Sequence, residues 1–172
     1  MPNHDQPMAS RPRIEGYGVP ETIEGALPWG HAAQRLEAAR NYWIVTCDAR
    51  GRPHAVPVWA VWLEGALFFS TAPTTRTARN LAVNPQASVH LESGDDVVIL
   101  EGTAQFVQPL PPAISAAIDD AMAAKYGYRP SSDGSGPTQG MFVLSPRVAF
   151  AWTAFPSDAT RWTFSADRFV PQ

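Results

Sequence analysis

The stretch HAVPVWAVWL, residues 54–63, is apolar on both of its alternating faces. In a strand, Val56, Val58 and Trp62 would point one way and Ala55, Trp59, Val61 and Leu63 the other. Ala49-Arg50-Gly51 lies shortly before it and Glu64-Gly65 directly after it, and both read as turns. An antiparallel strand with one wet face alternates apolar with polar residues. This one does not, so it needs cover on both sides. A small barrel covers one face from inside, and a helix or a second copy of the chain covers the other. The competing arrangement is a β-sandwich with helices packed outside it.

The rest of the pattern fits this frame. Residues 42–48 (YWIVTCD) and 66–71 are strand-like and join residues 54–63 in a meander through tight turns, which makes the sheet mainly antiparallel. Residues 88–92 and 97–107 are two more strands around Ser93-Gly94-Asp95-Asp96, and residues 141–153 form the last, with Pro146 marking an edge or a bulge. Helices are predicted over 31–40, 75–83 and 111–126; the third carries Ile114, Ile118, Ala121, Met122 and Lys125 along one side, and Asn84-Pro85 stops the second. The expectation is a mainly β, six-stranded antiparallel split β-barrel with flanking helices, spanning 29–172 and dimerising through its outer wall. Residues 1–28, rich in Pro, Gly and charge, read as a tail or a strap on the surface, and residues 131–140 as a Ser/Gly/Pro loop.

Composition limits the function classes. At 172 residues and 45% hydrophobic, the chain fits one domain with a substantial core. A net charge of −3 argues against a nucleic-acid-coating protein. One cysteine excludes a disulfide framework, and no signal-like or membrane-length apolar run is present, so a cytoplasmic protein is expected. The sequence has no GxGxxG, Walker loop, GxSxG or HExxH. His4, His31, His54 and His90 lack ligand spacing, so no metal site is expected. Asp95 and Asp96 read as a solvated hairpin turn rather than paired acids. Cys47 alternates with Trp43 and Val45, which reads as a buried small hydrophobe.

One segment stands apart. FFSTAPTTRTARNL, residues 68–81, crowds Thr71, Thr74, Thr75, Arg76, Thr77 and Arg79 into the start of the second helix. Helix N-termini carry unpaired N–H groups and a positive partial charge, which suit an anion. Thr74 or Thr75 caps such a helix, the hydroxyls of Thr71, Thr75 and Thr77 add donors, and Arg76 adds a planar fork that matches phosphate. An ordinary capped helix with two solvated arginines is the alternative reading of the same residues.

From residue 42 to 107 the chain resembles the flavin/deazaflavin oxidoreductases of the pyridoxamine 5'-phosphate oxidase-like, FMN-binding split-barrel superfamily. The carriers are Gly51-Arg52-Pro53-His54, Pro57-Val58-Trp59, Phe69-Ser70-Thr71, Arg79-Asn80-Leu81 with Asn84-Pro85, and Glu101-Gly102-Thr103-Ala104. Ala159-Thr160-Arg161-Trp162 is similar to a C-terminal motif of the branch that uses the deazaflavin coenzyme F420. The resemblance implies a homodimer with two cofactor sites at its interface and hydride transfer to or from a small, apolar or planar substrate. It implies that Pro57, Val58 and Trp59 line the ring, and that Ser70, Thr71, Thr75, Arg76, Thr77 and Asn80 hold the ribityl and phosphate portion. It also implies that a partner chain closes the site, through Trp152, Arg161 or Trp162. A catalytic side chain is not implied.

Two departures bear on the cofactor. Family members often carry a lysine in a Ser-Arg-Lys-x-x-Asn-Leu pattern, where this chain has Thr75-Arg76-Thr77. The preceding strand lacks the Arg and Lys that pyridoxamine phosphate oxidases use on FMN and has Val58, Trp59 and Ala60 there. FMN ends in a phosphate monoester of about −1.5 to −2 charge. F420 has an internal phosphodiester of one charge, which suits a less positive turn better. F420 is therefore the expected cofactor, FMN the alternative, and a non-catalytic cofactor or haem binder the remaining reading.

Overall fold

The computed structural model describes residues 6–133 and 140–165. Residues 1–5 of the expected tail, most of the expected 131–140 loop and residues 166–172 lie outside the described residues. Nine strands and three α-helices are present among the rest: β1 (Met8–Ser10), α1 (Trp29–Ala38), β2 (Tyr42–Cys47), β3 (Pro53–Val58), β4 (Ala60–Leu63), β5 (Ala66–Phe69), α2 (Arg76–Val83), β6 (Gln86–His90), β7 (Val97–Val107), α3 (Pro112–Tyr126), β8 (Met141–Trp152) and β9 (Thr160–Thr163). All pairings are antiparallel, in the order β1-β9-β8-β7-β6-β2-β3, with β5 branching from β8 and β4 pairing β5.

The fold class is as expected, mainly β and antiparallel. The strand count and the closure differ. Residues 54–63 form two strands, because β3 pairs β2 as far as Val58 and β4 begins at Ala60 on β5. The barrel is therefore split at Trp59 and the sheet does not close. β1 and β9 were too short to leave a periodic signal. Residues 8–10 lie along residues 161–163, so part of the N-terminal segment is a strand of the sheet.

β8 carries much of the architecture. Its first half pairs β5, its second half pairs β9, and its whole length pairs β7. The change of direction falls at Pro146, opposite a register shift between Glu101 and Gly102, as the proline predicted. Gly102 is required there. A Cβ on it would sit 2.1 Å from Ser145 O and 2.8 Å from Pro146 Cα.

Two apolar clusters fill the interior. One joins α1 and α2 to the main sheet through Leu36, Tyr42, Ile44, Phe69, Leu100 and Trp162. The other lies between α3 and β4–β5, through Ile118, Met122, Val61 and Phe68. The two faces of β4 are thus covered by different cores, Trp62 by the first and Val61 by the second. β3 is different. His54, Val56 and Val58 are half-buried, whereas Ala55 and Pro57 are exposed, as is Trp59 just beyond. On β2 the core face is Tyr42, Ile44 and Thr46, and Trp43, Val45 and Cys47 are half-buried on the outer face. The expectation that Cys47 is buried is corrected here. Both faces of β2 are apolar, so alternation alone could not say which points inward.

Candidate functional site

The sheet and α2 converge on the threonine-rich turn. Thr75 is the N-cap of α2, with extended backbone and its Oγ1 accepting the Ala78 N–H at 3.1 Å. Its hydroxyl also lies 2.9 Å from Thr71 Oγ1. The turn is closed by Thr75 N–H donating to Ala72 O at 3.0 Å. Arg76 is the first helical residue and is exposed. Arg79 folds back and donates to Thr74 O, which fixes the outer side of the turn.

Beside this turn is a cavity of about 410 Å³. β3 contributes His54, Val56, Pro57 and Val58 to its wall, with Trp59 at the split; the turn contributes Ser70, Thr71, Thr75 and Thr77; and α3 and the segment after it contribute Met122 and Tyr128. Seven of the nine expected cofactor residues meet here: Pro57, Val58, Trp59, Ser70, Thr71, Thr75 and Thr77. The volume falls within the ordinary range for small-molecule sites, and the wall is apolar with a few convergent hydroxyls.

Thr77 is the most informative of these residues. It is 2% exposed, lines the cavity, and its hydroxyl makes no hydrogen bond among the described residues. Buried polar groups normally have partners. An orphaned hydroxyl on a cavity wall fits a wall built to meet a polar ligand group. The lining also holds no Lys, Arg, Asp or Glu. The helix end, the neutral hydroxyls and the nearby exposed Arg76 are what the site offers an anion.

Two expected residues lie differently. Arg76 is outside the lining and stands at the rim of the turn. Asn80 is 4% exposed, and its Nδ2 donates to Thr46 Oγ1 at 3.0 Å beneath the helix. It braces α2 against β2.

The β3 wall of the cavity is held from behind. Trp59, 46% exposed, stacks on Tyr126 with 4.6 Å between centroids and 9° between planes. The Tyr126 hydroxyl accepts the Ala60 N–H at 3.0 Å and lies within donating distance of Ala60 O at 2.9 Å and Arg40 O at 2.8 Å. The last residue of α3 thereby fixes the backbone where β3 gives way to β4. Burial raises the Tyr126 pKa, which keeps the phenol a donor.

The three residues assigned to partner closure fall on opposite sides of the sheet. Pairing runs Pro57–Trp43–His90–Ile99–Phe150–Arg161 across six strands, so these side chains share the outer face. Trp152, two residues from Phe150, shares it too and contacts Phe155. Arg161 donates to Thr163 Oγ1 at 2.7 Å. Trp162 is 1% exposed in the core against Trp29, so its ring has no surface to offer a second chain.

The remaining candidates are structural. Asp96 is not free in its turn; His31 Nε2 lies 2.9 Å away and Arg35 Nε donates at 2.7 Å. Burial pushes its pKa up, but these hydrogen bonds hold it below the usual carboxylate value. No cluster of three or more potential metal ligands occurs among the described residues. No described helix is long and apolar enough to cross a membrane. A larger cavity, about 1270 Å³, lies under the N-terminal segment, away from the threonine turn. Sequence reasoning missed four lining residues: His54 and Val56, on the same face of β3 as the expected Val58, and Met122 and Tyr128, which reach the site only through the packing of α3 and the segment after it.

An antiparallel sheet split at one strand, with a cavity between the split and a helix N-terminus, is a split-barrel arrangement. The pyridoxamine 5'-phosphate oxidase family model matches residues 29–162, and the chain belongs to that family. Among solved structures, it is similar to a heme binding protein from Mycobacterium smegmatis (23% identity, 80% of this chain and 59% of that one, TM-score 0.59). It is similar to an FAD-binding protein from Mesorhizobium loti (17%, 81% and 96%, TM-score 0.56), and to an F420 reductase (20%, 72% and 98%, TM-score 0.54). At these identities the likeness is one of fold. No curated protein sequence matches the chain.

Proposed function

We propose that the protein is an F420-dependent oxidoreductase that moves a hydride between the deazaflavin and a small, apolar or planar substrate. The observation that carries this reading is the Thr77 hydroxyl, buried and unpartnered on the wall of a cavity lacking carboxylates and permanent cations. That wall suits a singly charged phosphodiester better than the more highly charged monoester of FMN. Pro57, Val58 and Trp59 would lie along the ring, and Ser70, Thr71, Thr75 and Thr77 along the ribityl and phosphate portion, with Arg76 at the rim. The coenzyme supplies the hydride chemistry; the protein binds, orients and shields it from water.

A second copy completes the site in this reading. Ala55, Pro57, Trp43, Val45 and Arg161 share an outer face on which none of them is buried within one chain. An apolar sheet face of this kind is suited to an isologous dimer. Arg161 and Trp152 then face the partner. A cytoplasmic location goes with this assignment.

The test is titration of F420 and of FMN into purified protein, followed by fluorescence quenching and by melting temperature. F420 is expected to bind more tightly. Thr77→Val, which keeps the shape and removes the hydroxyl, is expected to weaken F420 about tenfold without lowering the melting temperature of the free protein. Equal affinity of Thr77→Val and the native protein would remove the basis of the reading.

A non-catalytic haem binder is the second reading, and one observation favours it: His54 lines the cavity, and histidine is a common axial ligand of haem iron. Haemin titration separates the two readings. A Soret shift abolished in His54→Ala would favour haem.

A further inference from the structure

The sequence contains twelve arginines and one lysine, Lys125. That lysine is not a surface cation. It lies on the last turn of α3, half-buried, and its Nζ donates to Tyr42 Oη at 2.8 Å. Tyr42 is buried and donates in turn to Leu36 O, so the phenol is fixed and orients the amine. Beside Lys125 is a cavity of about 440 Å³ walled by Val61, Trp62, Ala121 and Ala124, with Glu37 at its edge. It shares no lining residue with the cavity at the threonine turn.

We propose that Lys125 is a nucleophilic amine in this second site, and that a short aliphatic aldehyde condenses with it to form an imine. The apolar wall selects an alkyl chain over a charged one. The nitrogen lone pair forms the N–C bond as the carbonyl π pair moves onto oxygen. Both amine protons then leave with that oxygen as water, so no oxidant, reductant or metal is needed. Glu37 lines the same cavity but makes no ion pair with Lys125 among the described residues, so solvent water carries the proton from nitrogen to oxygen.

The charge balance around the amine supports this. The facing groups are Tyr42 on β2, Tyr126 on α3 and Glu37 on α1; Arg40, after α1, donates its own guanidinium to Lys125 O. Burial pulls the Lys125 pKa down to about 8, and Glu37 offsets this only in part. Burial also holds the Tyr42 phenol well above its ordinary value, so it gives Lys125 no phenolate to pair with. An arginine at this position could not deprotonate and could not perform the step.

Because the chain has a single lysine, the test is unambiguous. The full-length protein is incubated with butanal and cyanoborohydride from pH 6 to 11, and adducts are assigned by peptide mass mapping. The α-amino group is the other amine and is resolved by the mapping. At pH 7.5 Lys125 holds roughly a hundredfold more free amine than an ordinary lysine. Lower basicity also lowers nucleophilicity, so labelling roughly tenfold faster than that of Nα-acetyl-lysine is expected. The rate should level off above about pH 8 and vanish from this position in Lys125→Arg. A Lys125 that stays unlabelled at pH 7.5, or whose rate climbs to pH 10 and beyond, overturns the proposal. The native protein's pH profile decides this whether or not Lys125→Arg folds.

Discussion

Asn80 Nδ2 and Thr46 Oγ1 are 3.0 Å apart, and both residues are almost wholly buried. This bond ties the middle of α2 to the inner face of β2. Since Thr75, at the start of the same helix, forms part of the cavity wall, the bond also fixes the wall.

Thr46→Val should therefore destabilise the protein. The Asn80 amide would lose its partner in a site closed to water, at a cost of about 1–3 kcal/mol. The melting temperature should fall by roughly 2–4 °C per kcal/mol for a chain of this size. The double variant Thr46→Val with Asn80→Leu should recover much of the loss, because no buried donor is then unpaired. Calorimetry of the native protein, both single variants and the double variant measures the coupling.

How much of this was legible beforehand differs by element. The threonine–arginine cluster announced the α2 N-terminus correctly, because capping is local chemistry that a short segment carries by itself. The paired turns gave two antiparallel hairpins, β2–β3 and β4–β5, for the same reason, but not a continuous three-strand meander. The role of Asn80 was not legible, since a polar residue reads alike whether it turns to a ligand or to Thr46. The break at Trp59 was hidden because β3 and β4 are both apolar, and only their different partners, β2 and β5, separate them. Met122 and Tyr128 come to the cavity from far along the chain. Met122 sits in the apolar stripe of α3 with Ile118, and nothing local marks it as a wall residue.

Arg76→Ala tests the charge at the rim. The side chain is exposed and makes no hydrogen bond or ion pair among the described residues, so the melting temperature should change by less than about 1 °C. F420 affinity should drop roughly ten- to a hundredfold, the size of a lost charge-assisted hydrogen bond. The loss should shrink at high salt, because an exposed cation is screened. Fluorescence titration at low and high ionic strength measures both effects. Unchanged affinity would leave the cluster a capped helix and nothing more.

Tyr126→Phe tests the brace behind the β3 wall of the cavity. The variant keeps the stack on Trp59 and loses the hydroxyl that satisfies the buried Ala60 N–H. A stability loss of about 1–3 kcal/mol is expected. Cofactor affinity should fall as well, since Val58 and Trp59 sit on the strand end that this hydroxyl fixes. A stability loss with native affinity would confine Tyr126 to a packing role.

The outer face gives a prediction about assembly. Trp43 stacks on His90 with 1° between ring planes and lies opposite Pro57, on a face with no residue of this set buried in the single chain. Light scattering at micromolar concentration should return a dimer mass. Trp43→Glu should shift the mass toward the monomer and weaken cofactor binding in parallel, because a site closed by a second copy opens when that copy leaves. A monomer with native affinity would separate the cavity from assembly.

The burial of Lys125 and of Tyr42 makes stability depend on pH in two opposed steps. Lys125 has its folded-state pKa lowered by burial to about 8, against an ordinary 10.5. Between those values the unfolded chain binds more protons than the folded one, so stability rises with pH. Tyr42 has its pKa raised by burial from the ordinary 10.0. Above about pH 10 the folded state is the one that keeps the extra proton, so stability falls as pH climbs further. The urea midpoint should accordingly increase from pH 8, reach a maximum near pH 10 and then decline. Half-exposure of Lys125 limits the rising step to about 1 kcal/mol after solvent screening. Lys125→Met should flatten the rise and leave the decline, since Tyr42 remains buried in the variant. A rise that persists without the lysine would assign it to another group and would also remove the electrostatic support for the amine's reactivity.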